Sequence, residues 1–99
     1  MNSSAGRVAI VTGGARGIGY EIGAALARTG LRVALADLNG PGAKEAAAGL
    51  SREGCESLGV GCDVSQPEGV KAMAASVGQR WGRIDILVNN AGGLSGGPK

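Results

Sequence analysis

Four short apolar runs alternate along this chain with three segments of helical periodicity, and this alternation constrains the fold more than any other feature. The runs are Arg7–Thr12, Arg32–Asp37, Glu56–Cys62 and Ile84–Asn89, and each has the length of a strand. Strands that are apolar on both faces and alternate with helices form parallel sheets covered on two sides. With right-handed crossovers, the pattern predicts a doubly wound α/β fold, β-α-β-α-β-α-β, with strand order 3-2-1-4.

The first two intervening segments are predicted helices that end at glycines. Gly17–Thr29 carries apolar residues at four-residue spacing and is followed by Gly30. This spacing predicts one apolar face, made of Ile18, Ile22 and Leu26. The second helix is expected from about Pro41 to Arg52, since proline favours a first helical turn and Gly54 follows.

The third predicted helix begins near Ser65, which forms a capping-box pattern with Glu68. Apolar residues then recur at helical spacing up to Gly82, and we expect this stripe to be core facing the sheet rather than a ligand site. Its members are Val70, Met73, Ala74, Val77 and Trp81.

Composition excludes several classes of function. The chain has 99 residues, enough for about one small domain. Its net charge is only +2, and its lysines and arginines are scattered along the sequence, which argues against nucleic acid as a partner. The absence of histidine excludes a histidine base or metal ligand, and we predict no metal site. Cys55 and Cys62 fit neither a disulfide scaffold nor a zinc pattern, so we expect reduced thiols in a cytoplasmic protein. No apolar run is long enough to span a membrane.

Three regions follow from these patterns. Residues 1–6 are polar, lack a signal-peptide core and are predicted to be a flexible N-terminus. Residues 7–93 are predicted to form the domain, and the glycine-rich residues 94–99 a loose tail.

The turn after the first strand carries the most specific chemistry. Its sequence is Thr-Gly-Gly-Ala-Arg-Gly-Ile-Gly, from Thr12 to Gly19, and it opens the first helix. We interpret Gly13 as the residue of the sharp turn, Gly17 as the point of close approach to a diphosphate, and Gly19 as a contact between helix and strand. Free amides at a helix start favour an anion. Arg16 either adds a charge on the phosphate or ribose side or is a solvated surface arginine.

Together with Asn89-Asn90-Ala91-Gly92, this turn resembles the short-chain dehydrogenase/reductase family. Asp63-Val64 and the run from Trp81 to Val88 are similar as well. The resemblance covers about residues 6–93 and implies the amino-terminal half of a Rossmann fold. It also implies an NAD(P)(H)-dependent oxidoreductase that interconverts an alcohol and a carbonyl of a small molecule. The resemblance further implies that the full-length protein is a homodimer or a homotetramer.

An acidic residue at the end of the second strand bears on the choice of coenzyme. Asp37 stands where a carboxylate can accept hydrogen bonds from the adenosine ribose hydroxyls and would repel a 2′-phosphate, and the following residue, Leu38, is not a cation. We therefore expect NAD rather than NADP, although Arg16 leaves NADP open. Asp37 read from its position alone can also be a strand-end turn residue.

The remaining site residues come from the resemblance. It implies that Asp63 contacts the adenine amino group and Val64 the ring edge, although Asp63 can also cap the loop before the third helix. It places Asn90 near the ribose, with Ala91 and Gly92 beside it, and implies that Asn89 ties neighbouring strands together. Without the family pattern, two adjacent asparagines at a strand end are turn formers.

The catalytic residues of the family are not found in the sequence. The family uses a Tyr-x-x-x-Lys pair downstream of Asn-Asn-Ala-Gly, but the fourth residue after Tyr20, the single tyrosine, is Ala24. We predict that Tyr20 is a helix-surface residue and assign no catalytic residue. We expect the amino-terminal part of a longer reductase, inactive alone and weak in coenzyme binding. The alternative is a non-catalytic nucleotide-binding or sensing module.

Overall fold

The computed structural model describes residues 6–90. Seven elements follow one another in the predicted order. They are β1 (Val8–Thr12), α1 (Gly17–Arg28), β2 (Arg32–Asp37), α2 (Gly40–Arg52), β3 (Ser57–Gly61), α3 (Pro67–Trp81) and β4 (Ile86–Val88). The predictions of a flexible N-terminus and a loose tail lie outside the described residues, apart from Gly6.

The four strands form one parallel sheet in the order β3-β2-β1-β4, as predicted. Val8 of β1 pairs with Arg32 of β2, and Ala9 pairs with Ile86 of β4. β1 is buried along its whole length because strands lie on both of its edges and helices on both faces. It therefore forms the centre of the described sheet.

Alternate residues of the central strands supply two hydrophobic cores. On one face, Val11 and Leu35 belong to a core that also contains residues of α1 and α2. On the other face, Ile10 and Ala34 pack with Met73 and Val77 of α3. The predicted apolar stripe of α3 is thus core, with Val70 and Trp81 packed partly buried against it. The period of two along each strand sends successive side chains to opposite faces.

The packing face of α1 differs from the predicted one. Its buried residues are Gly19, Gly23, Ala24 and Ala27, whereas Ile18 is 58% exposed. Ile22 and Leu26 pack against the core only partly buried, and so does Tyr20, which was expected on the surface. The reason is close approach: a Cβ on Gly23 would lie 2.5 Å from Leu35 Cδ2, so small residues bring the helix axis near the sheet.

The helix ends confirm the glycine signals and correct the capping box. Each helix is followed by a glycine with positive φ, at Gly30, Gly54 and Gly82. At the start of α3, however, the N-cap residue is Gln66, and its side chain makes no capping hydrogen bond. The Ser65 hydroxyl donates instead to Asp63 Oδ1 at 2.6 Å. α3 therefore begins at Pro67, a residue favoured at the first helical position because it has no N–H to leave unpaired there.

Candidate nucleotide-binding site

The carboxyl ends of the four parallel strands meet at one edge of the sheet, and the predicted site residues of the described chain lie along that edge. Thr12 ends β1, Asp37 ends β2, Asp63 follows β3, and Asn90 follows β4. The helices after β1 and β3 cover opposite faces of the sheet. Where the connections diverge in this way, between β1 and β4, an open α/β sheet forms a crevice for ligands.

The glycine turn lies at the entrance to this crevice. Gly13 has a φ of 67° and Gly17 a φ of 64°, both in the left-handed region that disfavours a side chain. A Cβ on Gly17 would meet nothing within 4 Å, so the space in front of this residue is open. The left-handed backbone at Gly13 is what a sharp turn requires. The open space at Gly17 leaves room for the close approach of a diphosphate, which stays a prediction.

Gly19 has a different contact from the one we expected. A Cβ at this position would lie 2.7 Å from Asn90 Nδ2 and 2.8 Å from the Gly13 carbonyl carbon, and closer still to the Gly13 oxygen. Gly19 therefore packs against the turn itself and the end of β4. The close contact of α1 with a strand is made one turn later, by Gly23.

The start of α1 leaves its first backbone amides without a partner in the helix. The N-cap residue Arg16 is extended, and within residues 6–90 its side chain makes no capping bond. The amide of Tyr20 donates to the Arg16 carbonyl at 3.3 Å, so the amides of Gly17, Ile18 and Gly19 precede this bond. No acidic residue stands in the first turn. The positive end of the helix dipole and these amides favour an anion here.

Asp37 connects the glycine turn with the end of β2. Its Oδ2 accepts a hydrogen bond from the Ala15 amide at 3.0 Å, and its Oδ1 accepts one from the Asn39 amide at 3.0 Å. A carboxylate oxygen has two lone pairs, so each oxygen retains an acceptor position for a further donor. The side chain of the next residue, Leu38, is 76% exposed.

Thr12 joins the end of β1 to the end of β4, a role that sequence analysis did not assign to it. Its buried hydroxyl accepts from the Asn90 amide at 2.9 Å. The same oxygen lies 3.3 Å from the Val88 carbonyl oxygen and 3.2 Å from Asn89 Oδ1, either of which accepts its proton. Asn90 Nδ2 donates to the Gly13 carbonyl at 3.5 Å. Asn89 Oδ1 lies within reach of the Thr12 hydroxyl at the end of β1, as expected of a residue that ties neighbouring strands together.

Asp63 and Val64 lie exposed after β3. Hydrogen bonds from the Ser65 hydroxyl and amide lower the pKa of Asp63. The neighbouring Cys62 is buried, and burial raises the pKa of its thiol. Two further predicted site residues, Ala91 and Gly92, lie outside the described residues.

Comparison with known proteins decides the family. The family model for short chain dehydrogenases matches residues 7–99. This chain belongs to the short-chain dehydrogenase family. Its Thr12–Gly19 turn and its Asn89-Asn90 pair therefore lie in a short-chain dehydrogenase, and the resemblance stated from those residues is confirmed.

This chain spans about a third of the length of the curated relatives that it matches. D-threitol dehydrogenase of Mycolicibacterium smegmatis is 48% identical over 87 residues, which cover 88% of this chain and 34% of that protein. The 7alpha-hydroxysteroid dehydrogenase of Escherichia coli K12 is 37% identical over 94 residues, covering 95% of this chain and 36% of that one. A crystal structure of hydroxysteroid dehydrogenase from Escherichia coli superposes with a TM-score of 0.87 at 36% identity, covering 97% of this chain and 40% of that chain.

Two further observations concern the described part of the chain. Between residues 6 and 90, none of the helices has both the length and the apolar character needed to cross a bilayer. In the same range there is no grouping of three or more cysteine, aspartate and glutamate side chains suited to hold a metal ion.

Proposed function

We propose that this chain forms the coenzyme-binding part of an NAD(P)(H)-dependent oxidoreductase that interconverts an alcohol and a carbonyl of a small molecule by hydride transfer. The start of α1 carries the proposal. Its first amides precede the first helical hydrogen bond, no acidic or capping side chain of residues 6–90 competes for them, and the space before Gly17 is open. A dinucleotide diphosphate is the anion that such a turn accepts at the crevice of a doubly wound sheet.

The described residues fit the adenosine and diphosphate end of a dinucleotide. In this proposal the glycine turn holds the diphosphate, Asp37 and Leu38 lie against the ribose, and Asp63 and Val64 lie against the adenine. The turn residues are Gly13, Ala15, Arg16, Gly17, Ile18 and Gly19, and the sequence adds Asn90, Ala91 and Gly92 on the ribose side. When bound, the nicotinamide ring supplies or accepts the hydride.

Carbonyl reduction also needs a proton donor within hydrogen-bond reach of the substrate oxygen. Tyr20, the one tyrosine of the sequence, lies on α1 and packs partly buried against the core with α1 and α2. We therefore assign it no catalytic role. We propose that these 99 residues alone bind coenzyme weakly and turn nothing over.

The carboxylate of Asp37 favours NAD over NADP. A 2′-phosphate on the ribose would come near this negative charge, and two unit charges 4 Å apart repel by about 1 kcal/mol in water and about 4 kcal/mol near a protein surface. Arg16 is the group that would offset this repulsion. It is exposed and lines a groove between α1 and α2 together with Gly42 and Glu45.

Titration of the complete protein with NADH and NADPH tests the proposal. We expect NADH to bind at least tenfold more tightly, Asp37→Ala to narrow this ratio, and Arg16→Ala to weaken NADPH more than NADH. Equal affinities in the parent, or no response to Asp37→Ala, would remove the preference for NAD. Binding of neither coenzyme would refute the function itself.

A further inference from the structure

We infer that Asp37 has a second role, in which its carboxylate fastens the glycine turn to the end of β2, so that the residue facing the ribose also shapes the diphosphate site. This inference rests on the function proposed above. It assigns Asp37 a positioning role that acts through the amide of Ala15.

Two successive amides of the turn point at the end of β2. The Gly14 amide donates to the Ala36 carbonyl at 3.0 Å, and the Ala15 amide donates to Asp37 Oδ2 at 3.0 Å. Gly14 itself is seated tightly, since a Cβ there would lie 3.0 Å from both Leu35 Cδ2 and the Val11 carbonyl oxygen. Ala15 is the next residue along the turn. Its amide donates to the Asp37 side chain, whereas the Gly14 amide donates to a backbone carbonyl of β2.

The carboxylate of Asp37 is itself held in place. Its other oxygen accepts from the Asn39 amide, and the Asn39 side chain accepts in turn from the Gly42 amide at 3.0 Å, which caps α2. A continuous set of hydrogen bonds therefore runs from the start of α2 through Asp37 to Ala15. Arg16, the N-cap of α1, follows directly. The direction of the α1 amides depends on this connection.

This role can be separated from ribose selection by the choice of ligand. A carboxylate that only binds ribose hydroxyls contributes nothing to a ligand that lacks them, such as 2′,3′-dideoxy-ADP. A carboxylate that fastens the turn contributes to that ligand too. Loss of a negative charge near a diphosphate strengthens binding by itself, so a weakening in Asp37→Ala does not come from the charge.

The experiment compares the complete protein with Asp37→Ala and Asp37→Asn, two neutral variants. Asparagine keeps one acceptor oxygen, enough for the Ala15 amide or the Asn39 amide but not for both, whereas alanine keeps none. Calorimetry measures binding of ADP and of 2′,3′-dideoxy-ADP. Hydrogen exchange measures protection of the Ala15 amide, with Ala24 in the middle of α1 as the reference. If Asp37→Ala does not fold, Asp37→Leu, which keeps the branched shape of the side chain but has no acceptor, carries the exchange measurement.

We expect Asp37→Ala to bind dideoxy-ADP about tenfold more weakly than Asp37→Asn, the size of one hydrogen bond to a held acceptor. Exchange at Ala15 should be at least tenfold faster in Asp37→Ala than in the parent and slower in Asp37→Asn than in Asp37→Ala, and Ala24 should not respond. If Asp37→Ala weakens ADP but binds dideoxy-ADP as tightly as Asp37→Asn, the fastening role is refuted and the proposed function stands. If the parent binds neither ADP nor NADH, the proposed function fails.

Discussion

Replacing Gly19 by alanine tests whether the glycine turn and the end of β4 must touch for the site to form. The new methyl group would lie 2.7 Å from Asn90 Nδ2 and 2.8 Å from the Gly13 carbonyl carbon. Both distances are shorter than real Cβ contacts, and Gly13 contributes backbone, which cannot rotate away. The turn must therefore shift as a whole.

The size of the effect follows from two opposing contributions. Overpacking against backbone costs about 3 kcal/mol, at the upper end of the usual range. Alanine is favoured over glycine in a helix by about 1 kcal/mol, which leaves a net loss of about 2 kcal/mol. Gly78→Ala in α3 is the matched control, because a Cβ there meets nothing within 4 Å. It should stabilise the protein by about 0.5–1 kcal/mol.

Urea unfolding of both variants measures these free energies, and ADP binding reports on the site. Gly19→Ala should lower the unfolding free energy and weaken ADP at least tenfold, while Gly78→Ala should leave ADP binding unchanged. The reasoning is wrong if the two variants agree within about 0.5 kcal/mol, the usual size of a surface substitution, and bind ADP alike.

Three further outcomes are expected. Hydrogen bonds from Arg83 and the Val8 amide lower the pKa of Asp85. The ionised Asp85 therefore stabilises the fold at pH values above its ordinary pKa of 3.8, and this stabilisation is lost as the pH falls through its lowered pKa in the folded protein. Urea midpoints measured from neutral to acid pH should therefore fall less in Asp85→Asn than in the parent; parallel curves would contradict this. Leu35→Ala, at a fully buried residue packed under Gly14 and Gly23, should cost about 2–5 kcal/mol in the same assay. Leu38→Ala, at a side chain 76% exposed, should cost under about 0.5 kcal/mol, and similar costs would refute the burial argument. A thiol reagent at mildly alkaline pH should label Cys55 before Cys62, because Cys62 is buried and burial raises the pKa of its thiol. Mass spectrometry of partly labelled protein measures the order of labelling, and labelling of Cys62 first would contradict this expectation.

The features that could be predicted from the sequence are those with local causes. β2 spans the predicted residues 32–37, because an apolar run between turn residues has few other conformations. The strand order followed from the handedness of the crossovers, which is a property of any β-α-β unit. The glycine turn was recognisable because Gly13 and Gly17 need positive φ.

The errors lie where two local signals compete or where a partner is distant. Ser65 and Glu68 have the spacing of a capping box, but the hydroxyl and the amide of Ser65 both donate to Asp63 instead. The large apolar residues of α1 suggested the packing face, whereas the sheet selects the face on which Gly23 allows close approach. Periodicity reports which residues share a side of a helix, but not how near the sheet lies.

The sequence by itself therefore determined the order of the elements, the parallel sheet and the position of the glycine turn. Only the tertiary structure decided which atoms hold that turn: Thr12 with Asn90, 78 residues apart, and Ala15 with Asp37, 22 residues apart. Backbone angles and hydrophobic period are set within a few neighbouring residues. A hydrogen bond between distant residues exists only after the register of β1 with β2 and β4 has brought the strand ends together.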